Sequence, residues 1–241
     1  MSGVVINVGA ASDVGAVRAG NEDSHLVADG VYAVADGMGG HAAGEVASGI
    51  AVQVAEGLGG RAVKPEDVRA VVLEANAAIL AAARREPGNR GMGTTLTGLC
   101  LVDFQGAPHW VLFNVGDSRV YRYADGAVAQ LSTDHTEVAE MVAAGELTEE
   151  EARGHPLGNV LTRALGMAPA PEPDIDVFPA TAPARFLICS DGLTLELADA
   201  EIAGVLGDTD DPEAAAERLV ELAVAAGGRD NVTAVVVDLA G

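Results

Sequence analysis

The sequence predicts an α+β fold in which antiparallel sheets are covered by helices. Two observations carry that prediction. Strand-like runs come in pairs joined by tight-turn dipeptides, and helical stretches come in blocks between those pairs rather than singly between strands. The second observation disfavours a doubly wound parallel sheet, in which each strand would feed its own helix.

In chain order, a first strand is expected over 4–8. HLVA and VYAVA, within 24–36, flank Asp29-Gly30, a two-residue hairpin signature. A helix from about Ala42 to Leu58 stops at Gly59-Gly60. In PEDVRAVVLEANAAILAAARRE, Val68, Val71, Val72, Ala75, Ile79 and Ala82 recur at spacings of three and four behind Pro65, which predicts a helix with one buried face. A strand follows over 93–102. PHWVLFNV, Gly116-Asp117-Ser118, RVYRY, Asp125-Gly126 and AVAQL then read as a three-stranded antiparallel meander.

Residues 132–166 break the strand pattern with two short helix-like pieces, TEVAEMVAAG and TEEEARG, and are expected to form a flap inserted between strands. Five of the ten prolines fall between Pro169 and Pro183. With about 60 residues remaining, this stretch reads as a rigid connector back to the sheet rather than an interdomain linker. Strands over 175–178, 185–189 and 231–239 complete the core. The helix EAAAERLVELAVAA lies before the last of them, between Pro212 and Gly227-Gly228. The whole of 1–241 reads as one domain, in line with its length.

Composition narrows function. Lys+Arg 14 against Asp+Glu 36 gives a net charge of −22, with a pI near 4.3. Such a surface repels phosphate backbones, so nucleic acid is not an expected partner, whereas divalent cations are attracted. No apolar run approaches the roughly 18 residues of a membrane span. The N-terminus lacks the basic and apolar regions of a signal peptide, so a cytoplasmic location is expected. Cys100 and Cys189 each sit in an apolar strand-like run, which argues against a disulfide framework and a thiolate zinc site.

One pattern recurs: an apolar strand, then Asp, then a chain reversal. It occurs at Asp36 in VYAVADG, Asp117 in FNVGDS and Asp191 in FLICSDG, while Asp230 immediately precedes the strand NVTAVVV. Asp-Gly alone is usually only a turn, as at Asp29 and Asp125. Asp36 differs because GMGGHAAGE follows it, a glycine cluster opening a helix rather than a returning strand. Clustered carboxylates without Cys or close His pairs favour Mg²⁺ or Mn²⁺ over Zn²⁺. Two such ions sharing a carboxylate can generate hydroxide and clamp a phosphoryl group. Arg18, beside Glu22 and Asp23, is either an anion-binding group or a solvated surface arginine. Cysteine-based phosphate chemistry requires an Arg six residues after the thiol, and those positions hold Leu195 and Gly106. No G-x-S-x-G elbow or P-loop pattern occurs.

The motifs VRAGNED, VADGMGGHAAGE, GMGTTL, FNVGDSRVYR, STDH, HPLGNVLTRALG, ICSDGL and GRDNVT occur in that order between residues 17 and 233, within a likeness that runs from about residue 4 to 239. Together they resemble the metal-dependent Ser/Thr protein phosphatases, the protein phosphatase 2C or PPM family, in its bacterial form. The resemblance implies a four-layer αββα sandwich with a binuclear Mn²⁺/Mg²⁺ centre at one edge. It implies that Asp36 bridges the ions, that Gly37 offers a backbone carbonyl to one, and that Asp191 and Asp230 hold the other. Glu22 and Asp23 resemble residues that orient metal-bound water, and Arg18 resembles the arginine that binds substrate phosphate. Asp117 resembles the ligand that bacterial members use with Asp191 for a third, weaker ion.

One departure concerns the general acid. Eukaryotic members place His two residues after the bridging Asp, where this chain has Met38. His41 is the candidate in its place, or else a helix-start residue bonding locally; His25, His109, His135 and His155 read as structural or flap-associated. The implied function is hydrolysis of phosphoserine and phosphothreonine proteins by an activated hydroxide, opposing bacterial Ser/Thr kinases. The alternatives are a dedicated phosphatase of an anti-sigma pathway and a noncatalytic phosphoprotein-binding module. Loss of turnover usually removes a metal Asp, and Asp36, Asp191 and Asp230 are all present.

Overall fold

Strands buried on both faces need apolar side chains at every position, and this is why the core strands read as near-continuous apolar runs rather than alternating ones. The computed structural model describes residues 5–39, 43–60 and 63–240. Its strands are β1 (Val5–Asp13), β2 (Asp23–Ala28), β3 (Val31–Met38), β4 (Gly93–Thr94), β5 (Leu96–Phe104), β6 (Ala107–Val115), β7 (Arg119–Ala124), β8 (Ala127–Gln130), β9 (Asp174–Pro179), β10 (Ala184–Cys189) and β11 (Val232–Ala240). The helices are α1 (Ala43–Glu56), α2 (Pro65–Arg85), α3 (Glu137–Ala143), α4 (Glu149–Ala152), α5 (Asp191–Thr194), α6 (Asp199–Asp208) and α7 (Pro212–Ala226).

One sheet runs β1-β11-β10-β7-β8 and the other β2-β3-β5-β6-β9, with β4 added to the end of β3; the ladders between the described strands are antiparallel. Alternate residues of each strand serve different layers. Val31, Ala33 and Ala35 of β3 pack under α1 and α2, whereas Tyr32 and Val34 face the other sheet. In β10, Leu187 and Cys189 face α6 and α7, while Phe186 and Ile188 point between the sheets. Trp110 anchors that middle layer, its ring edge-on to Tyr32 at 6.2 Å and Phe186 at 5.8 Å. Each such fully buried side chain contributes roughly 1.5–3 kcal/mol. The result is the expected four-layer αββα sandwich. No helix among the described residues is long and apolar enough to cross a membrane.

Most elements fall where the pattern places them. Ala28↔Val31 and Ala124↔Ala127 close two-residue turns at Asp29-Gly30 and Asp125-Gly126, the latter with Asp125 at φ 51° and Gly126 at φ 80°. The predicted meander is corrected. β6 and β7 belong to different sheets, so Gly116-Asp117-Ser118 is a crossover between layers and not a hairpin turn. The crossing is held by side chains: Ser118 Oγ lies 2.7 Å from Thr95 Oγ1, and Asn114 Nδ2 donates to Thr133 O at 2.7 Å. The strand expected over 93–102 is two strands, with Thr95 at the break, and its hairpin to β6 turns at Gln105-Gly106. The unpredicted α6 buries Ile202, Ala203 and Leu206, and Glu201 Oε2 caps it by accepting from Ala198 N at 2.9 Å. The proline-rich connector carries β9, an edge strand bounded by Pro173 and Pro179, where the missing N–H groups disrupt no central ladder.

Residues 132–166 are rooted at both ends. On entry, Arg119 grips Asp134 with an Nη2–Oδ2 distance of 2.6 Å, and buried His135 donates its backbone N–H to Gly116 O at 3.0 Å and accepts the Gly116 N–H on Nδ1 at 3.1 Å. On exit, Leu165 lies in the helix-side core and exchanges backbone hydrogen bonds of 2.8 and 3.1 Å with Thr94. Between these roots α3 and α4 are short, capped by Thr136 and Thr148, and mostly exposed or half-buried.

Candidate active site

The ends of four strands and one loop converge on a cleft of about 240 Å³. Its walls include Arg18, Glu22, Asp36, Gly37, Asp117, Asp191 and Asp230. These residues are separated by up to 212 positions in the chain and meet because β3, β6, β10 and β11 all deliver the same edge of the sandwich. Asp36 is not at a strand end, as the sequence suggested. β3 continues through it to Met38, because Gly37 and Met38 pair with Thr94 and Gly93.

The backbone of Asp36 is clamped by the two threonines of GMGTTL. Its N–H donates to Thr95 Oγ1 at 2.8 Å, and its carbonyl accepts from Thr95 N and Thr94 Oγ1, both at 2.9 Å. Gly37 must be glycine: a Cβ there would stand 2.3 Å from Gly44 O and 2.5 Å from Glu22 O. Asp191 opens α5, so its carboxylate sits at the end of β10 by way of Ser190. Asp23 lies opposite Asp36 in the β2–β3 register and is buried behind the cleft, where its Oδ2 accepts from Ser190 Oγ at 2.8 Å and Thr233 Oγ1 at 2.7 Å.

Packed together, these carboxyls resist ionisation. Burial, then the neighbouring Asp23, Asp191 and Asp117, hold Asp36 well above the usual carboxylate range. Burial pushes Asp23 up to about 7 against the pull of Thr233 and Ser190, and burial with Asp191 and Asp134 pushes Asp117 up to about 7. Burial and Asp230 likewise raise Asp191. Buried anions this close to one another are costly without a compensating cation.

The donor set fits hard divalent ions. Asp23 Oδ1 and Asp191 Oδ1 are buried without a hydrogen-bond partner, and the described donors lining the cleft are oxygens with no thiolate or imidazole. Cys100 and Cys189 are buried and free. No group of three or more His, Cys, Asp or Glu among the described residues closes into a ready-made cage. The choice of ion rests on the oxygens lining the cleft, which suit Mg²⁺-like ions that take carboxylates and keep several waters better than Zn²⁺, whose usual ligands include Cys or His. Arg18 Nη2 contacts Asp230 Oδ2 at 2.6 Å, so a cation on Asp230 and an anion on Arg18 would both compete with this pair.

His41, named as a candidate general acid, lies outside the described residues. Met38 lines the cleft directly. Besides Gly39, the cleft is lined by Thr95, Asn159, Leu161 and Asn231, which the sequence reading did not single out. The GMGTTL, HPLGNVLTRALG and GRDNVT motifs contained them, but a search for carboxylates passes over neutral side chains. Asn159 and Leu161 bring the 132–166 segment to the wall of the cleft.

The family model for Protein phosphatase 2C matches residues 17–225. The chain is 41% identical over 241 residues to the serine/threonine protein phosphatase PstP of Mycobacterium tuberculosis, covering 98% of this chain and 45% of that protein. The chain thus spans about half the length of this relative. It is 35% identical over 239 residues to the serine/threonine phosphatase stp of Listeria welshimeri, covering 94% and 93%. A solved structure described as the catalytic domain of PstP in complex with two manganese ions is similar with a TM-score of 0.87 at 40% identity, covering 99% of this chain and all of the other.

Proposed function

Because the chain belongs to the protein phosphatase 2C family, we propose that it is a metal-dependent phosphatase of phosphoserine and phosphothreonine proteins, opposing Ser/Thr kinases. The observation that carries this reading is the convergence of Asp36, Asp117, Asp191 and Asp230 with Arg18 on one cleft. On this reading Asp36 would be shared between two Mn²⁺ or Mg²⁺ ions, the Gly37 carbonyl would serve one, Asp191 and Asp230 would hold the other, and Asp117 with Asp191 would offer a third, weaker site. Manganese bound with the PstP catalytic domain supports the choice of ion. When bound, two such ions lower the pKa of water and neutralise charge on a phosphoryl group.

The remaining work falls to the chain. Arg18 presents a planar fork to two phosphate oxygens and draws the phosphoryl group toward the carboxylate edge. Glu22 lines the cleft and Asp23 backs it, where they orient water by hydrogen bonding. Release of inorganic phosphate from a phosphoserine or phosphothreonine peptide with Mn²⁺ tests the activity; failure to release any contradicts it.

Arg18→Ala tests the phosphate contact. Loss of a bidentate, charge-assisted pair raises KM about tenfold to a hundredfold, while Mn²⁺ affinity changes little or rises as Asp230 loses its partner. Unchanged KM with weakened Mn²⁺ binding would remove Arg18 from the phosphate site.

Residues 132–166 are proposed as a flap that selects protein substrates. Half-buried Met141 and Val142 on α3 support this, as does the position of Asn159 and Leu161 on the cleft wall. Replacing Met141 and Val142 with Ser is expected to lower phosphopeptide turnover several-fold more than aryl phosphate turnover. Equal losses on both substrates, or a large drop in Tm, would make this segment scaffold.

A further inference from the structure

We propose that Asn231 is a positioning residue that holds the Arg18 loop at its working distance from the carboxylate edge. The side chain is 6% exposed, and its hydrogen-bonding groups are spent on that one loop. Nδ2 donates to Val14 O at 2.9 Å and to Gly20 O at 3.0 Å, and Oδ1 accepts from Glu22 N at 2.9 Å. Its own backbone N–H donates to Asp230 Oδ1 at 2.8 Å. One amide therefore ties both ends of residues 14–22 to the neighbour of Asp230.

The loop is seated closely enough to make the tie specific. Ala16 N donates to Gly228 O at 2.8 Å, and Gly15, at φ +76°, lies so near the 228–230 backbone that a Cβ would stand 2.2 Å from Asp230 O. Between these ties Arg18 projects outward with 52% of its side chain exposed, so its guanidinium stands where its anchored flanks and its 2.6 Å contact with Asp230 Oδ2 place it. An amide is required because the site needs two donors facing two carbonyls and one acceptor facing an N–H. Asp would keep the shape and the acceptor, but it turns an oxygen toward Val14 O and Gly20 O.

The inference rests on Arg18 as the phosphate contact, and a double-mutant cycle separates the two claims. KM for an aryl phosphate, inhibition by inorganic phosphate, Mn²⁺ affinity and Tm are measured for Arg18→Ala, Asn231→Ala, Asn231→Asp and each double variant. Asn231→Ala and Asn231→Asp are expected to raise KM and the inhibition constant of phosphate about tenfold, with Mn²⁺ affinity shifted far less. The double variants are expected to be no worse than Arg18→Ala, because a residue acting through Arg18 has nothing left to lose. Additive losses, or an intact phosphate constant in whichever Asn231 variant folds, would overturn the role of Asn231. If Arg18→Ala alone leaves both constants unchanged, the phosphate reading of Arg18 fails instead.

Discussion

Asp191→Ala and Asp230→Ala each lower Mn²⁺-supported hydrolysis of a small aryl phosphate by at least about a thousandfold while the protein still unfolds cooperatively. Each substitution removes an oxygen donor from the cleft. Neither removes apolar packing, since both carboxylates line the cleft and Asp191 has a buried oxygen with no hydrogen-bond partner. Asp191→Ala also removes a charge that raises Asp36, Asp23 and Asp117, so its Tm in chelator should equal or exceed that of the parent. Asp230→Ala frees Arg18 and should weaken Mn²⁺ binding with a smaller effect on phosphate. Near-parental turnover in both variants would remove the metal role from this edge.

Stability in chelator falls as pH rises from about 4 to about 7, and Mn²⁺ reverses the fall. Asp23 and Asp117 are raised to about 7 by burial and neighbouring carboxylates, so across that window the folded chain binds more protons than the unfolded one. Their stabilising contribution is therefore complete below the ordinary carboxylate range and is lost as pH climbs through 7. The fall is read directly as a Tm in chelator that drops between pH 4 and 7. The lowered carboxyls, Glu196 held by Arg229 and Asp174 held by His135 and Arg163 against its partial burial, act in the opposite sense, losing stability as pH falls below the ordinary range. A Tm that rises between pH 4 and 7 in chelator, or that ignores Mn²⁺ at pH 7, would contradict the account of the cluster.

The fold was legible where local rules decide it. Asp29-Gly30 and Asp125-Gly126 close hairpins because φ > 0 is inexpensive at Gly30, Asp125 and Gly126, and the 65–85 helix follows from one apolar stripe behind Pro65. The layer change at Gly116-Asp117-Ser118 was not legible, because a turn dipeptide does not say whether the next strand pairs with the last one or crosses to the facing sheet. That choice is made by distant partners such as Thr95 and by the demand of Trp110 and Phe186 for a shared middle layer. In the site, the Asp positions stood out because charge after an apolar strand is conspicuous. Asn231 and Thr95 did not, since their importance lies in bonds to residues 23 to 217 positions away.

The most direct test of the central claim, that these carboxylates hold the cations on which phosphate hydrolysis depends, is a phosphothreonine-peptide assay on protein stripped with chelator and titrated with Mn²⁺. Turnover should vanish on stripping and return as two equivalents of Mn²⁺ bind, with Asp191→Ala failing to recover at the same concentrations. Turnover that persists in excess chelator, or Mn²⁺ that binds equally well to Asp191→Ala, would contradict it.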